Sequence, residues 1–506
     1  MKKGLITLLL FIGFNSAFAT DNVANSKGKQ LKTQNELTVY PALPNDLYRS
    51  DIYEVTILQD KKIFPSYTYK NTKYLDDPTN KFKSLTTDAN HWTSFSFNGI
   101  VTVQIKLRDG SDIKSAIVLP LSRQIRATVS NNTITFKLIK AENVFVEVAG
   151  KSRDPLFIFA NPSEVDVPTA NTPNVIYFGP GVTDLGKTPL NLTNGQTVYL
   201  AGGAYVKGRI TINGGAYKKN RSSVVENNVV DKNLSPVTIR GRGILSGIGI
   251  LENRNAYSNF MISGDNLNIE GIVISDAPGA NCVCEKKLIA ENVKLLSWAM
   301  CSDGLHGSKG TIIKNCFFKV NDDNIHFHST GMKAIDNIVW LQQFGSAILL
   351  GWNVSQNVED ELVDGLDIIG NDIGKTNTDK THMNANVVCL RDVRNKAMYR
   401  NVVIQNVRHE GKPYQIFGIR TLLAVEDTSH ASFRVGKGGI DGLILRSFSI
   451  AKKPLHLSVF DGAGTEPGSI ENVTFENIKI EGVKLTESNA TEYIIQKGKT
   501  SGFRFY

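Results

Sequence analysis

The chain has 506 residues, five cysteines and a formal charge of +9, two units of which belong to Lys2 and Lys3. That length exceeds one ordinary domain. The charge lacks the runs of consecutive Lys and Arg that mark a nucleic-acid tail, and no stretch stays apolar long enough to span a bilayer. Cys282, Cys284, Cys301, Cys316 and Cys389 are odd in number and irregular in spacing, so neither a disulfide framework nor a zinc-ligand set is expected.

The N-terminus reads as a targeting segment. Lys2 and Lys3 precede an apolar run from Leu5 to Phe14, and Ser16-Ala17-Phe18-Ala19 places small residues at a cleavage position. Residues 1–19 are therefore expected to be an export signal, with the remainder in the periplasm or outside the cell.

Residues 20–172 read as an antiparallel β-sandwich. Val101, Val103, Ile105 and Leu107 alternate with Thr102, Gln104 and Lys106, and Ile134, Phe136 and Leu138 alternate after the turn residues Asn131-Asn132. Strict alternation means one buried face and one wet face. Pro162, Pro168, Pro173 and Pro180 then follow one another closely and mark a boundary.

From 173 to 506 the texture changes to a repeat, read as a right-handed parallel β-helix; the fold class is all-β throughout. Short strands recur around an Asn or Gly anchor at Gly271, Asn292, Asn315, Asn337, Gly365, Asn401, Gly442 and Asn472. The first intervals are 21, 23 and 22 residues, and later ones stretch to 28, 36, 41 and 30. One coil buries little alone and becomes stable by stacking on its neighbours. The anchors are expected in left-handed bends, which Gly and Asn adopt most cheaply. Trp340, after Ile338-Val339, is expected in packing.

Three coils contain segments that align without gaps: Asp303-Gly304-Leu305-His306, Asp323-Asn324-Ile325-His326 and Ser346-Ala347-Ile348-Leu349. Leu305, Ile325 and Ile348 should share an interior column. Asp303 and Asp323 should sit about one rung of 4.8 Å apart, with Asp322 turned another way. A strand running straight through Asp303 would point it inward like Leu305, so the aspartates must lie in the bend before the strand. Carboxyls held this close raise at least one pKa, which keeps an acid protonated near neutrality. Cleaving a glycosidic bond needs one protonated carboxyl and one carboxylate.

The run Asp322-Asp323-Asn324-x-His326-x-His328 also offers hard oxygens beside imidazoles, as a cation site would, but the alternating spacing and closing Glu of a calcium loop are lacking. No metal and no cofactor are expected. Trp298 and Trp352 are candidate sugar platforms, and His306, His326, His328 and Asn321 are candidate contacts to sugar hydroxyls. A binding stalk without catalysis is the alternative from another class, although it has no need of three carboxylates on two rungs.

Asp303, Asp322 and Asp323, spaced 19 and 20 apart, resemble the three-aspartate set of glycoside hydrolase family 49, the dextranases and isopullulanase. Val339-Trp340-Leu341-Gln342, Leu350-Gly351-Trp352 and the region around His91-Trp92-Thr93-Ser94-Phe95 carry the same resemblance. It implies hydrolysis with inversion, Asp322 donating a proton and Asp303 with Asp323 activating water. The related polygalacturonase family 28 adds a Gly-His-Gly stretch and an Arg-x-Lys pair. Here Gly345-Ser346-Ala347 has no histidine, and Arg420 has no lysine two residues on. A polysaccharide is the expected partner, an α-glucan of the dextran or pullulan type, with a sulfated or uronic polymer as alternative. A monomer is expected.

Overall fold

In the computed structural model, the described residues are 35–71, 89–214, 235–250, 260–299, 301–342, 344–372, 386–421, 438–462 and 468–506. The expected export signal lies outside them. Among the described residues no helix is long and apolar enough to cross a membrane.

The first part is a sandwich of two sheets. One runs Lys62–Ser66, Tyr53–Gln59, Val101–Leu107, Thr133–Leu138 and Thr128–Ser130; the other runs Glu36–Val39, His91–Asn98, Leu156–Pro162, Glu142–Val148 and Ala116–Leu119. Val101, Val103, Ile105, Leu107, Ile134, Phe136 and Leu138 all enter its core, while Lys106 is exposed, as the alternation requires. One pairing departs from the antiparallel expectation: Leu156–Pro162 runs parallel to His91–Asn98.

The coils begin with Val175–Phe178, between Pro173 and Pro180 of the proline-rich passage. One face of the solenoid is an 11-stranded parallel sheet to which each coil contributes a strand. Its register pairs Leu305 with Ile325 and Ile325 with Ile348, all three fully buried, so the expected interior column exists. Seven of the eight anchors have a left-handed φ between 53° and 86°. The exception is Asn337. There Asp336 takes the left-handed position (φ 51°), and the Asn337 side chain instead braces the previous coil, accepting from the Cys316 N–H and donating to the Ile313 carbonyl.

A third apolar cluster joins the two parts. Trp92, Phe145, Phe157 and Phe159 of the sandwich pack on Leu296, Phe317, Ile338 and Trp340 of the coils. Trp340 is therefore a packing residue, its ring edge-on to Phe145 at 4.9 Å between centroids. Two lysines are buried at this seam. Lys319 pairs with Asp372 at 2.8 Å. Lys294 donates to the Asn161 side chain and to the Gly271 carbonyl, and burial holds its pKa well below the ordinary lysine range.

Candidate active site

Sheet strands in three successive coils set the candidate site: Leu305–His306, Ile325–Phe327 and Ile348–Val354. Asp303 lies just before the first, and Asp322 and Asp323 just before the second, in bends rather than in strand. That resolves the parity conflict, because the aspartates escape the inward direction of Leu305. Backbone bonds tie the bends into rungs: the Gly304 N–H donates to the Asp323 carbonyl at 2.8 Å, and the Asn324 N–H to the Ser346 carbonyl at 2.9 Å.

Two glycines make this spacing possible. A Cβ on Gly304 would stand 2.0 Å from the Asn324 carbonyl oxygen, and one on Gly345 2.0 Å from the carbonyl carbon of Asp322. Gly345 also has a left-handed φ of 84°. Buried Asn281 and Asn324 support the bends from within: Asn281 donates to the Ser302 and Asp303 carbonyls, and Asn324 to the Ser346 carbonyl.

The three carboxyls have different environments. Burial pushes the Asp322 carboxyl well above the ordinary carboxylate range, and the charges of Asp303 and Asp323 push it the same way. Arg391 and the Asp323 N–H, which donates to Asp322 Oδ1 at 3.0 Å, oppose this without reversing it. Asp323 accepts from the Ser346 N–H on one oxygen and from Arg391 on the other, each at 2.7 Å. Asp303 faces two imidazoles, its Oδ2 lying 3.2 Å from His306 Nε2 and 3.7 Å from His326 Nε2. The site thus holds one carboxyl favouring its proton, close enough to feel two others whose partners are fixed.

His306 and His326 occupy paired positions on adjacent strands, and their rings stack at 3.5 Å. His306 is half-buried, while His326 and His328 are buried. Burial, then the neighbouring His306 and His328, hold His326 well below its ordinary pKa. Burial and His306 push His328 down to about 3. Asp303, His306 and His326 each offer one ligand atom, all within 4.8 Å of one another. This set differs from the run Asp322-Asp323-Asn324-x-His326-x-His328, because it joins His306 and the acid of the preceding coil to His326.

Trp352 is half-buried and carries the Arg391 guanidinium over its ring at 4.5 Å. It sits with Asn353 at positive φ, in an irregularity of the register between Gly351 and Val354, the kind of bulge that re-aims a side chain. Trp298 and Asn321 are buried with their polar groups already partnered inside the protein, and His326 and His328 are as little exposed. Trp298 is only 4% exposed and its indole N–H donates to Asp276. Asn321 is fully buried, and its amide donates to the Trp298 carbonyl and accepts from the Phe344 N–H. Both build the wall beneath the site.

Arg391 is the group the sequence reading missed. It sits two rungs on from Asp323, 68 residues along the chain, opposite Gly351 in the register. No local motif announces that pairing. Elsewhere, a cleft of about 330 Å³ opens between the sandwich and the coils, lined by Arg123, Glu142, Arg242 and Glu270 among others. It contains none of the three aspartates, and its charges pair with one another, Arg123 with Glu142 at 3.1 Å and Arg242 with Glu270 at 3.3 Å.

No protein-family model matches the chain. A dextranase from Arthrobacter globiformis is 22% identical over 439 residues, covering 65% of this chain and 64% of the dextranase. The chain therefore spans just under two thirds of that relative's length. An isopullulanase from Aspergillus niger is 22% identical over 472 residues, covering 78% of this chain and 80% of the isopullulanase. Among solved structures, Dex49A from Penicillium minioluteum superposes with a TM-score of 0.64 at 17% identity, covering 89% of this chain and 92% of the other. In sequence the chain is similar to a dextranase and an isopullulanase, and in fold to Dex49A, which together support its likeness to glycoside hydrolase family 49.

Proposed function

We propose that the chain is a glycoside hydrolase that cleaves an α-glucan of the dextran or pullulan type with inversion at the anomeric carbon. The observation that carries this reading is the set of unequal environments in one three-carboxyl cluster. Asp322 favours its proton, and it stands beside Asp303 and Asp323, which are paired with imidazoles and with a guanidinium. An inverting hydrolase needs that asymmetry, an acid for the leaving oxygen and a base for the water that attacks the opposite face of the sugar.

Asp322 is the acid in this reading, and Asp303 with Asp323 hold the water. Asp323 keeps unused lone pairs after accepting from Ser346 and Arg391, because a carboxylate offers about four acceptor positions. Trp352, turned by its bulge and pinned by Arg391, is the platform for a sugar ring, whose C–H face suits an aromatic surface. The similarity to a dextranase and an isopullulanase supports a neutral glucan as substrate.

The test is hydrolysis of dextran, pullulan, pectin and a sulfated galactan by the purified chain, with product sizing and proton NMR of the first-formed anomer. Cleavage of a glucan with inverted configuration is expected. Retention of configuration, or cleavage of the anionic polymers alone, would overturn the assignment.

A further inference from the structure

We propose that Asp303, His306 and His326 form a site for a divalent transition-metal ion of the zinc class, which binds in competition with hydrolysis. The argument begins with the solenoid. The 11-stranded sheet pairs His306 with His326 on adjacent rungs, and the bend before the first of those strands places Asp303 across from both. Asp303 Oδ2 lies 3.2 Å from His306 Nε2 and 3.7 Å from His326 Nε2. Zinc takes nitrogen at about 2.0–2.1 Å and carboxylate oxygen at about 2.0–2.2 Å in tetrahedral geometry, which sets neighbouring donors roughly 3.3–3.5 Å apart. The two separations straddle that value; the His306 and His326 rings, stacked at 3.5 Å between centroids, must swing apart for both Nε2 lone pairs to meet at one ion.

A second observation concerns the bonding of His326, whose Nε2 stands near Asp303 but outside hydrogen-bond distance of it. His326 is 3% exposed, and its Nε2 makes no hydrogen bond among the described residues. A buried polar atom left without a hydrogen bond is unfavourable, and an ion that accepts its lone pair satisfies it. The donor chemistry narrows the ion. Two imidazoles and one carboxylate suit zinc, whereas calcium takes 6–8 oxygen ligands that this set does not offer. His328, with its ring centroid 6.4 Å from that of His326, stands outside the donor set. Asp303 and His306 are only half-buried, so an ion held by them has solvent within reach for its fourth ligand. That is the plan of an exchangeable zinc site.

The competition follows from Asp303. The carboxylate that would hold the ion is one that the proposed hydrolysis assigns to water, and this part of the inference rests on that reading. The binding itself does not.

The experiment uses the full chain, stripped with a chelator and titrated with zinc chloride by calorimetry, and with cobalt(II) to follow visible absorption. One ion per chain with tetrahedral cobalt absorption is expected. His306→Ala and His326→Ala should each weaken binding by about 100-fold or more, beyond the 10–100-fold that losing an outer hydrogen-bond partner brings. Asp322→Asn should retain it. Because buried His326 supports the core, half-exposed His306→Ala serves as the deciding variant, with circular dichroism as the check that it folds. Unchanged zinc affinity in folded His306→Ala, or no stoichiometric binding at micromolar zinc, overturns the site. If the chain cleaves a glucan, zinc should suppress that activity and chelator should restore it, and activity insensitive to bound zinc would refute the competition. If no polysaccharide is cleaved, the functional reading fails while calorimetry and cobalt absorption still decide the metal site.

Discussion

Arg391 donates to Asp323 at 2.7 Å across two rungs of the solenoid, and the same guanidinium lies 4.5 Å above the ring of Trp352. One cation thus fixes both a carboxylate of the cluster and the aromatic surface beside it. Removing one partner of a buried pair leaves an uncompensated charge, at a cost of about 3–5 kcal/mol. Arg391→Met should therefore lower the denaturant midpoint markedly and abolish hydrolysis. Adding Asp323→Asn, which removes the orphaned charge and keeps an acceptor for the Ser346 N–H, should recover much of the midpoint and none of the activity. A double variant no more stable than Arg391→Met would show that the ion pair is not what holds this rung.

Gly345 makes a second, steric claim. Alanine there must adopt a left-handed φ, costing about 1–2 kcal/mol, and must also displace the Asp322–Asp323 peptide it would touch. Gly310 shares a left-handed φ of 72° with nothing within 4 Å of its would-be Cβ. Gly345→Ala should lose activity as well as stability, whereas Gly310→Ala should lose stability alone. Equal kcat for the two variants would remove the steric role.

These relationships differ in how far the sequence discloses them. The interior column of Leu305, Ile325 and Ile348 was legible because gapless alignment of short repeats fixes register. The bend before each strand was legible from parity. The Asn337 anchor misled by one residue, since Asn serves either as a left-handed residue or as a side-chain brace, and composition does not separate the two. Trp298 reads as a groove residue because an aromatic face in these coils suits a sugar ring, and Asn321 as a polar contact, yet the coil buries both. Arg391 was invisible, because its partner lies two coils away across intervals that no longer keep the 22-residue period.

Lys294 gives a prediction about stability alone. It is fully buried at the seam of sandwich and coils, with polar oxygens but, among the described residues, no carboxylate in the role that Asp372 plays for Lys319. Burial depresses its folded pKa below an unfolded value of about 10.4. Such a group favours the fold at pH above the unfolded value, and that contribution is lost as pH falls toward the folded one. Lys294→Met should therefore raise the thermal midpoint, and the gap over the parent chain should widen from pH 9 to pH 6. A gap that narrows on acidification would mean that the lysine is charged and satisfied in the fold.

Asp322 couples stability to function in the opposite sense. Its folded pKa lies well above the ordinary range, through burial first and then the charges of Asp303 and Asp323. A carboxyl raised in the fold binds more protons folded than unfolded, so its contribution to stability is fully present below an unfolded pKa of about 3.9 and is lost as pH rises toward the folded value. Asp322→Asn cannot ionise. At pH 7 the variant should melt above the parent chain, and near pH 3.5, where Asp322 is protonated in both states, the difference should vanish. The same substitution removes the proton for the leaving oxygen, so the rate on a glucan should fall by about 10²–10⁴-fold. An aryl glycoside whose leaving group needs little protonation should suffer less. The alkaline limb of the pH–rate profile, which reports ionisation of the acid, should disappear from what activity is left. Paired melting curves at the two pH values and kcat on both substrates check the whole argument. An Asp322→Asn chain that melts no higher than its parent at pH 7 and retains its rate on polymer would show that the proton is held elsewhere.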